Sequence, residues 1–458
     1  MRKLAAVVAF LALAAVPAQA TTPQTPANTP TTTPIKHFIV LMQENHSYDN
    51  YFGAYPRGDG IPAGTCQPKN LKHPDQGCVK PFEIAGHVVE DLNHSQRVAH
   101  RQLNHGAMNG FVDALRRESG KVQPNTMGHY DGNDLPYYWN IADKFVLFDR
   151  FFTSSMGGSV SNHMYWVTGT PGNKTDEVIP PEGFNQTTIF DRLEAKGISW
   201  KFYVQNYDPG ITFRNRGIGD RGSQIVWVPL LNYPRYLDNP RLAGKIVDLN
   251  QYYADLEHGT LPSVAFIAPA GSSEHPPGSI QAGERFVRTL INSLMRSDSW
   301  KSSALMWTYD DWGGWFDHVK PPKVDRWGLG FRAPALLVSP YARRGHIEHT
   351  VLDFTSMLKF IEQNWGVKPL ASRDRQANSI APAFDFKSPP RSPEFVAAER
   401  GTIQPKQPHR TVIYIAYGLA LLLAGGAIAA ALVSERRRRN RRTAEPDPDE
   451  RPRPKVTA

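Results

Sequence analysis

The chain has 458 residues, 40% of them hydrophobic and 11% aromatic, with a formal charge of +9. That apolar content builds a large core and excludes a wholly disordered chain. The charge does not mark a nucleic-acid binder: Arg2 and Lys3 supply two positives, and residues 434–458 set nine Lys/Arg against five Asp/Glu, leaving +3 for the rest.

From the start, Arg2 and Lys3 precede an apolar run at residues 4–16 and then Ala18-Gln19-Ala20. This is the pattern of a secretory signal peptide over residues 1–20. Residues 21–34 hold seven Thr and four Pro and read as a linker. From 35 to 386 no linker interrupts the chain, which predicts one large domain. Strands are expected at 38–42, 200–204, 264–267, 304–308 and 335–338. Helices are expected at 188–196, 282–297 and 355–365. Short apolar runs alternating with helices predict an α/β fold with a large, mostly parallel sheet. Such sheets bind ligands beyond the carboxyl ends of their strands.

Three strand ends carry chemistry. Glu44 and Asn45 follow the first strand directly and offer oxygen donors to a hard divalent cation. The segment Phe151-Phe152-Thr153-Ser154-Ser155-Met156-Gly157-Gly158-Ser159 can expose a hydroxyl, with Ser154, Ser155 and Ser161 as competitors for the nucleophile's place. Asp310 and Asp311 end the strand at 304–308, and adjacent buried acids repel unless a cation lies beside them. Gly313 and Gly314 permit a turn that would return His318 to the same place. His275 follows the strand at 264–267, His94 stands in Asp91-Leu92-Asn93-His94, and His346 and His349 are spare candidates. Cys66 and Cys78, the two cysteines, read as a disulfide in an exported chain.

Residues 387–410 are Pro-rich and polar and read as a stalk. Residues 411–433 are 23 in number without a charge, about 35 Å as a helix against a bilayer core of about 30 Å. The arginines from 436 onward place residues 434–458 in the cytoplasm and the domain outside. The expected location is therefore the cell membrane, with a single pass and an extracellular domain.

In their order, these landmarks resemble the phosphoesterase family of bacterial phospholipases C and related acid phosphatases. The resemblance rests on Gln43-Glu44-Asn45-His46-Ser47-Tyr48-Asp49-Asn50-Tyr51-Phe52-Gly53, Asp91-Leu92-Asn93-His94 and His275-Pro276-Pro277. It rests also on Asp310-Asp311-Trp312-Gly313-Gly314-Trp315-Phe316-Asp317-His318 and Ser372-Arg373-Asp374. It implies an alkaline-phosphatase-like sandwich and metal-dependent hydrolysis of phosphate esters or phospholipids through a phospho-serine. It implies Glu44, Asn45, Ser159, Asp310 and Asp311 around a divalent metal ion (Ca, Mg, Mn or Zn), with Ser159 as nucleophile. His94, His275 and His318 would surround phosphate and leaving group. Phospholipase C members commonly have Thr-x-Pro-Asn-Arg at the nucleophile, where this chain has Ser159-Val160-Ser161-Asn162-His163. Ser159 and the paired aspartates lean toward the acid-phosphatase side. The competing expectation is a catalytically silent surface-binding domain on a stalk.

Overall fold

A computed structural model describes residues 29–172, 178–216, 223–400 and 410–442. The expected signal peptide, residues 21–28 of the linker and residues 443–458 of the tail lie outside the described residues.

Eight strands form one sheet. They are β1 (His37–Gln43), β2 (Val146–Phe148), β3 (Trp200–Val204), β4 (Ile246–Asp248), β5 (Val264–Ala268), β6 (Ser303–Tyr309), β7 (Ala335–Val338) and β8 (His346–Glu348). Their order across the sheet is β8-β2-β7-β6-β1-β5-β3-β4. Only β7 runs against its neighbours, so the sheet is mostly parallel. All five expected strands are present. The three strands that sequence reasoning passed over have three residues each, too few to show a period.

The central pair explains its own composition. β6 is buried along its whole length, and β1 at every residue after His37. A strand covered on both faces reads as a continuous apolar run rather than an alternation, as in Phe38-Ile39-Val40-Leu41-Met42. The helix Ile280–Arg296 buries Ile280, Val287, Leu290, Ile291 and Leu294 in the same core at helical spacing. The Ser279 hydroxyl caps its start by accepting from the Ala282 amide. The helix Phe354–Trp365 ends at Gly366, whose φ of 62° closes the last turn.

Outside the sheet, Cys66 and Cys78 form the expected disulfide, beside a short ladder of Gln67–Pro68 with Cys78–Val79. Both flanks of the domain are partly docked. The Thr33 hydroxyl donates to Asn364 Oδ1 at 2.7 Å, and the Arg400 guanidinium pairs with Asp143 at 2.8 Å. The first part of the Pro-rich segment therefore lies against the domain.

The chain divides into two compact units, residues 1–400 and 401–458. The second contains the helix Arg410–Arg442. Its stretch Tyr417–Arg437, with a mean hydropathy of 2.0, is long and apolar enough to cross a membrane.

Candidate active site

β1 and β6 pair in parallel, with Gln43 beside Tyr309. The residues that follow them, Glu44-Asn45 and Asp310-Asp311, therefore emerge side by side. The backbone continues the ladder one step, as the Asp310 amide donates to the Gln43 carbonyl at 3.0 Å. Asn45 then takes a φ of 59°, a left-handed conformation that asparagine tolerates better than most residues. Its own amide N–H donates to Asp310 Oδ1 at 3.3 Å. Gly313 packs on this bend, where a Cβ would lie 2.3 Å from the Asn45 carbonyl oxygen. Its N–H holds Asp311 Oδ1 at 2.7 Å.

All four residues are buried. Burial, reinforced by the adjacent Asp311 charge, pushes the Asp310 carboxyl up to about 6. Asp310 Oδ2 is buried without a hydrogen-bond partner. The Asn45 amide has two settings. In one, its oxygen lies 3.1 Å from both Asp310 Oδ1 and Glu44 Oε2, an arrangement that a cation would stabilise. In the other, its nitrogen donates to those carboxylates and its oxygen accepts from His94 Nε2 at 3.0 Å and His275 Nε2 at 3.1 Å. Converging oxygen donors, a buried acid with an unused oxygen and an amide that can turn its oxygen inward fit a divalent cation.

Ser159 joins this group through its hydroxyl, 3.4 Å from Asp311 Oδ2. It is the first residue of the helix Ser159–Thr168 and follows a cap glycine, Gly158. Between Phe151 and Gly169, Ser159 alone is half-buried, and the others are buried. Its rivals are occupied elsewhere. The Ser154 hydroxyl donates to Asp353, Ser155 and Ser161 share a hydrogen bond, and Ser161 also donates to the Gly158 carbonyl. Exposure and partners thus distinguish Ser159 from these serines. A helix N-terminus also attracts anions such as a phosphate group.

His94 and His275 reach the same group from the other side, each through Nε2 at Asn45. His94 Nδ1 donates to the Leu92 carbonyl at 2.7 Å, which directs Nε2 inward. Burial works against its protonation, but the Asp311 and Asp91 charges outweigh that and raise it to about 10.

His318 goes elsewhere. The turn at Gly313 and Gly314 forms, with φ of 61° and 79°, but it does not deliver the ring to Asn45. His318 Nδ1 meets Asp49 Oδ2 at 2.7 Å, and Nε2 faces Asp59 at 3.3 Å. Both acids belong to a separate network around Arg332, which is fully buried. Conversely, His163 joins the metal-ligand candidates although sequence reasoning had given it no role there. Glu44, His163 and Asp310 form a buried trio able to offer ligand atoms to one ion. The usable signal was spacing: residues 159 and 163 share a helix face.

The family profile described as "Phosphoesterase family" matches residues 35–368. The chain belongs to the phosphoesterase family. Phospholipase C A of Mycobacterium tuberculosis is 30% identical over 418 residues, covering 79% of each chain. Non-specific phospholipase C1 of Arabidopsis thaliana is 27% identical over 405 residues, covering 78% of this chain and 72% of its own. Among solved structures, a protein in the alkaline phosphatase superfamily from Vibrio parahaemolyticus aligns with a TM-score of 0.39. It is 11% identical, over 79% of this chain and 75% of that one. Membership in the phosphoesterase family makes the chain a phosphoric ester hydrolase.

Proposed function

We propose that this phosphoesterase is a membrane-anchored, metal-dependent hydrolase of the phospholipase C type, working outside the cell through a phospho-serine intermediate. The observation carrying this reading is the Ser159 hydroxyl at the mouth of a buried oxygen-donor set. Glu44, Asn45, Asp310 and Asp311 would hold a divalent cation, with Ser159 beside it. A bound cation would screen the phosphate charge and lower the pKa of a neighbouring hydroxyl.

The chain's own residues do the rest. Ser159 Oγ attacks phosphorus and passes its proton to Asp311 Oδ2, 3.4 Å away, from which the proton given to the leaving group is later restored, so an O–P bond forms as the bond from phosphorus to the leaving oxygen breaks. His94 or His275, whose Nε2 atoms lie beside Asn45, gives a proton to the departing alkoxide. Water then attacks the phospho-serine, releasing the phosphate group and returning a proton to Oγ. His318 has no part in these steps; it positions the turn after Asp317.

Phospholipids are favoured as substrates by the phospholipase C relatives and by the apolar helix. In this reading residues 411–433 span the bilayer, residues 434–458 are cytoplasmic, and residues 1–20 direct export. Ser159→Ala should reduce kcat by about 10³-fold or more, as loss of a covalent nucleophile does. Full turnover in that variant would overturn the intermediate. Assaying phosphatidylcholine against a phosphomonoester separates the lipid reading from an acid-phosphatase one.

A further inference from the structure

His163 lies one helical turn after Ser159, and its ring is fixed by local geometry. Nδ1 is 2.8 Å from the Ser159 carbonyl oxygen, which can only accept, so Nδ1 carries the proton. In the neutral ring Nε2 therefore presents a lone pair. That nitrogen faces Glu44 Oε1 at 3.6 Å, and the residue is almost wholly buried, with 1% of its side chain exposed. No hydrogen bond to Nε2 is made among the described residues. Two lone-pair atoms aimed at each other in a buried site repel unless a positive centre stands between them. Ligand atoms about 2.0–2.1 Å from one zinc-sized ion stand roughly 3–4 Å apart, so the 3.6 Å spacing fits. A hydrogen bond from the other ring nitrogen to a backbone carbonyl is the usual way a metal-binding imidazole is oriented.

We propose that His163 is a nitrogen ligand of the divalent cation through Nε2, beside Glu44, with Asp310 Oδ2 on the Nδ1 side of the ring at 3.9 Å, and that it turns an all-oxygen site into a mixed one. The proposal rests on the metal-dependent reading above and sharpens it. Hard cations such as Mg²⁺ and Ca²⁺ favour oxygen, whereas imidazole suits Zn²⁺ and other first-row transition metals. The site therefore selects Zn²⁺ over Mg²⁺. Ser159 is tied to this choice, because its carbonyl holds the ring while its hydroxyl faces Asp311.

The test uses the full chain in detergent. Competition between Zn²⁺ and Mg²⁺ is followed by elemental analysis, for wild type and His163→Gln. Pulsed EPR of the Mn²⁺-loaded protein reads directly whether an imidazole nitrogen is bound. The expected result is a nitrogen coupling in wild type that His163→Gln abolishes, with the Zn²⁺-over-Mg²⁺ preference falling about tenfold or more. If His163→Gln does not fold, a coupling that survives in both His94→Gln and His275→Gln supports His163. A wild-type spectrum without nitrogen coupling overturns the proposal. So does a coupling or a preference unchanged in His163→Gln. A wild-type chain that takes up no divalent ion overturns the metal-dependent reading itself, and this proposal with it.

Discussion

Two buried charged clusters lie on either side of the bend after β1, and they are built on opposite principles. Around Asn45, carboxylates are held against one another; burial pushes Asp310 up to about 6, as it does Asp317 beside Arg332, so the clusters differ in their partners and not in that shift. Around Arg332, every carboxylate meets a cation. Its Nε lies 3.1 Å from both oxygens of Asp317, and one terminal nitrogen lies 2.9 Å from Asp49 Oδ1. The other donates to the carbonyls of Asp59 and Asp149, each at 2.9 Å. Burial alone does not mark a reactive site, since both clusters are buried. The imbalance does: a cluster whose charges close on themselves holds the fold, and one left in need of a cation is available for chemistry.

The comparison breaks first at Arg332. Arg332→Leu leaves Asp49 and Asp317 without their cation, and removing one partner of a buried ion pair costs roughly 3–5 kcal/mol. Urea unfolding should show that loss. A change below about 1 kcal/mol would mean that the network is not what holds these segments together.

Glu274 tests whether neutral donors can replace a cation. It is fully buried and takes hydrogen bonds from the hydroxyls of Tyr51, Tyr138 and Tyr309. Burial nevertheless raises its carboxyl from 4.5 to about 7, against the pull of the three phenols. The folded chain thus holds this proton more tightly than the unfolded one. Stability should fall as pH rises from about 4.5 to 7 and then level off, by roughly 3 kcal/mol for this group. Glu274→Gln should flatten that part of the curve. An equally steep curve in the variant would assign the slope to other acids.

Asp310→Asn should move stability the opposite way from Arg332→Leu. At pH 8 with a chelator present, it removes a carboxylate that the fold holds charged at a cost. The variant should gain roughly 2 kcal/mol while losing turnover. Lower stability under those conditions would show that Asp310 is balanced in the metal-free chain, and the contrast between the clusters would lapse.

Much of this was legible beforehand. β1 and β6 announced themselves because strands covered on both faces need long apolar runs, and the donors Glu44, Asn45, Asp310 and Asp311 sit on their final turns in sequence. β2, β4 and β8 have too few residues for any pattern. His163 was hidden because its meaning depends on a partner, Glu44, that lies far away in sequence. His318 was drawn toward the wrong cluster by its glycines. Gly313 and Gly314 show that the chain turns, but not toward which acid, and Asp49, on the helix Tyr48–Phe52, and Asp59 reach the ring from far away in sequence.

His318 gives the smallest effect and the sharpest discrimination. Its Nδ1 and backbone N–H both meet Asp49 Oδ2, at 2.7 and 2.8 Å, so the residue closes the loop after Asp317 onto the helix Tyr48–Phe52. Flanking acids raise its pKa above the ordinary histidine value despite burial, with Asp49 the chief of them. His318→Asn keeps a donor near the Nδ1 position and loses the contact with Asp59. Stability should fall by about 1 kcal/mol, the scale of one hydrogen bond, and kcat should stay within about threefold of wild type. If kcat instead collapsed as in Ser159→Ala with KM unchanged, the ring would belong to the reaction. The balanced cluster would then extend into the active site, rather than standing beside it.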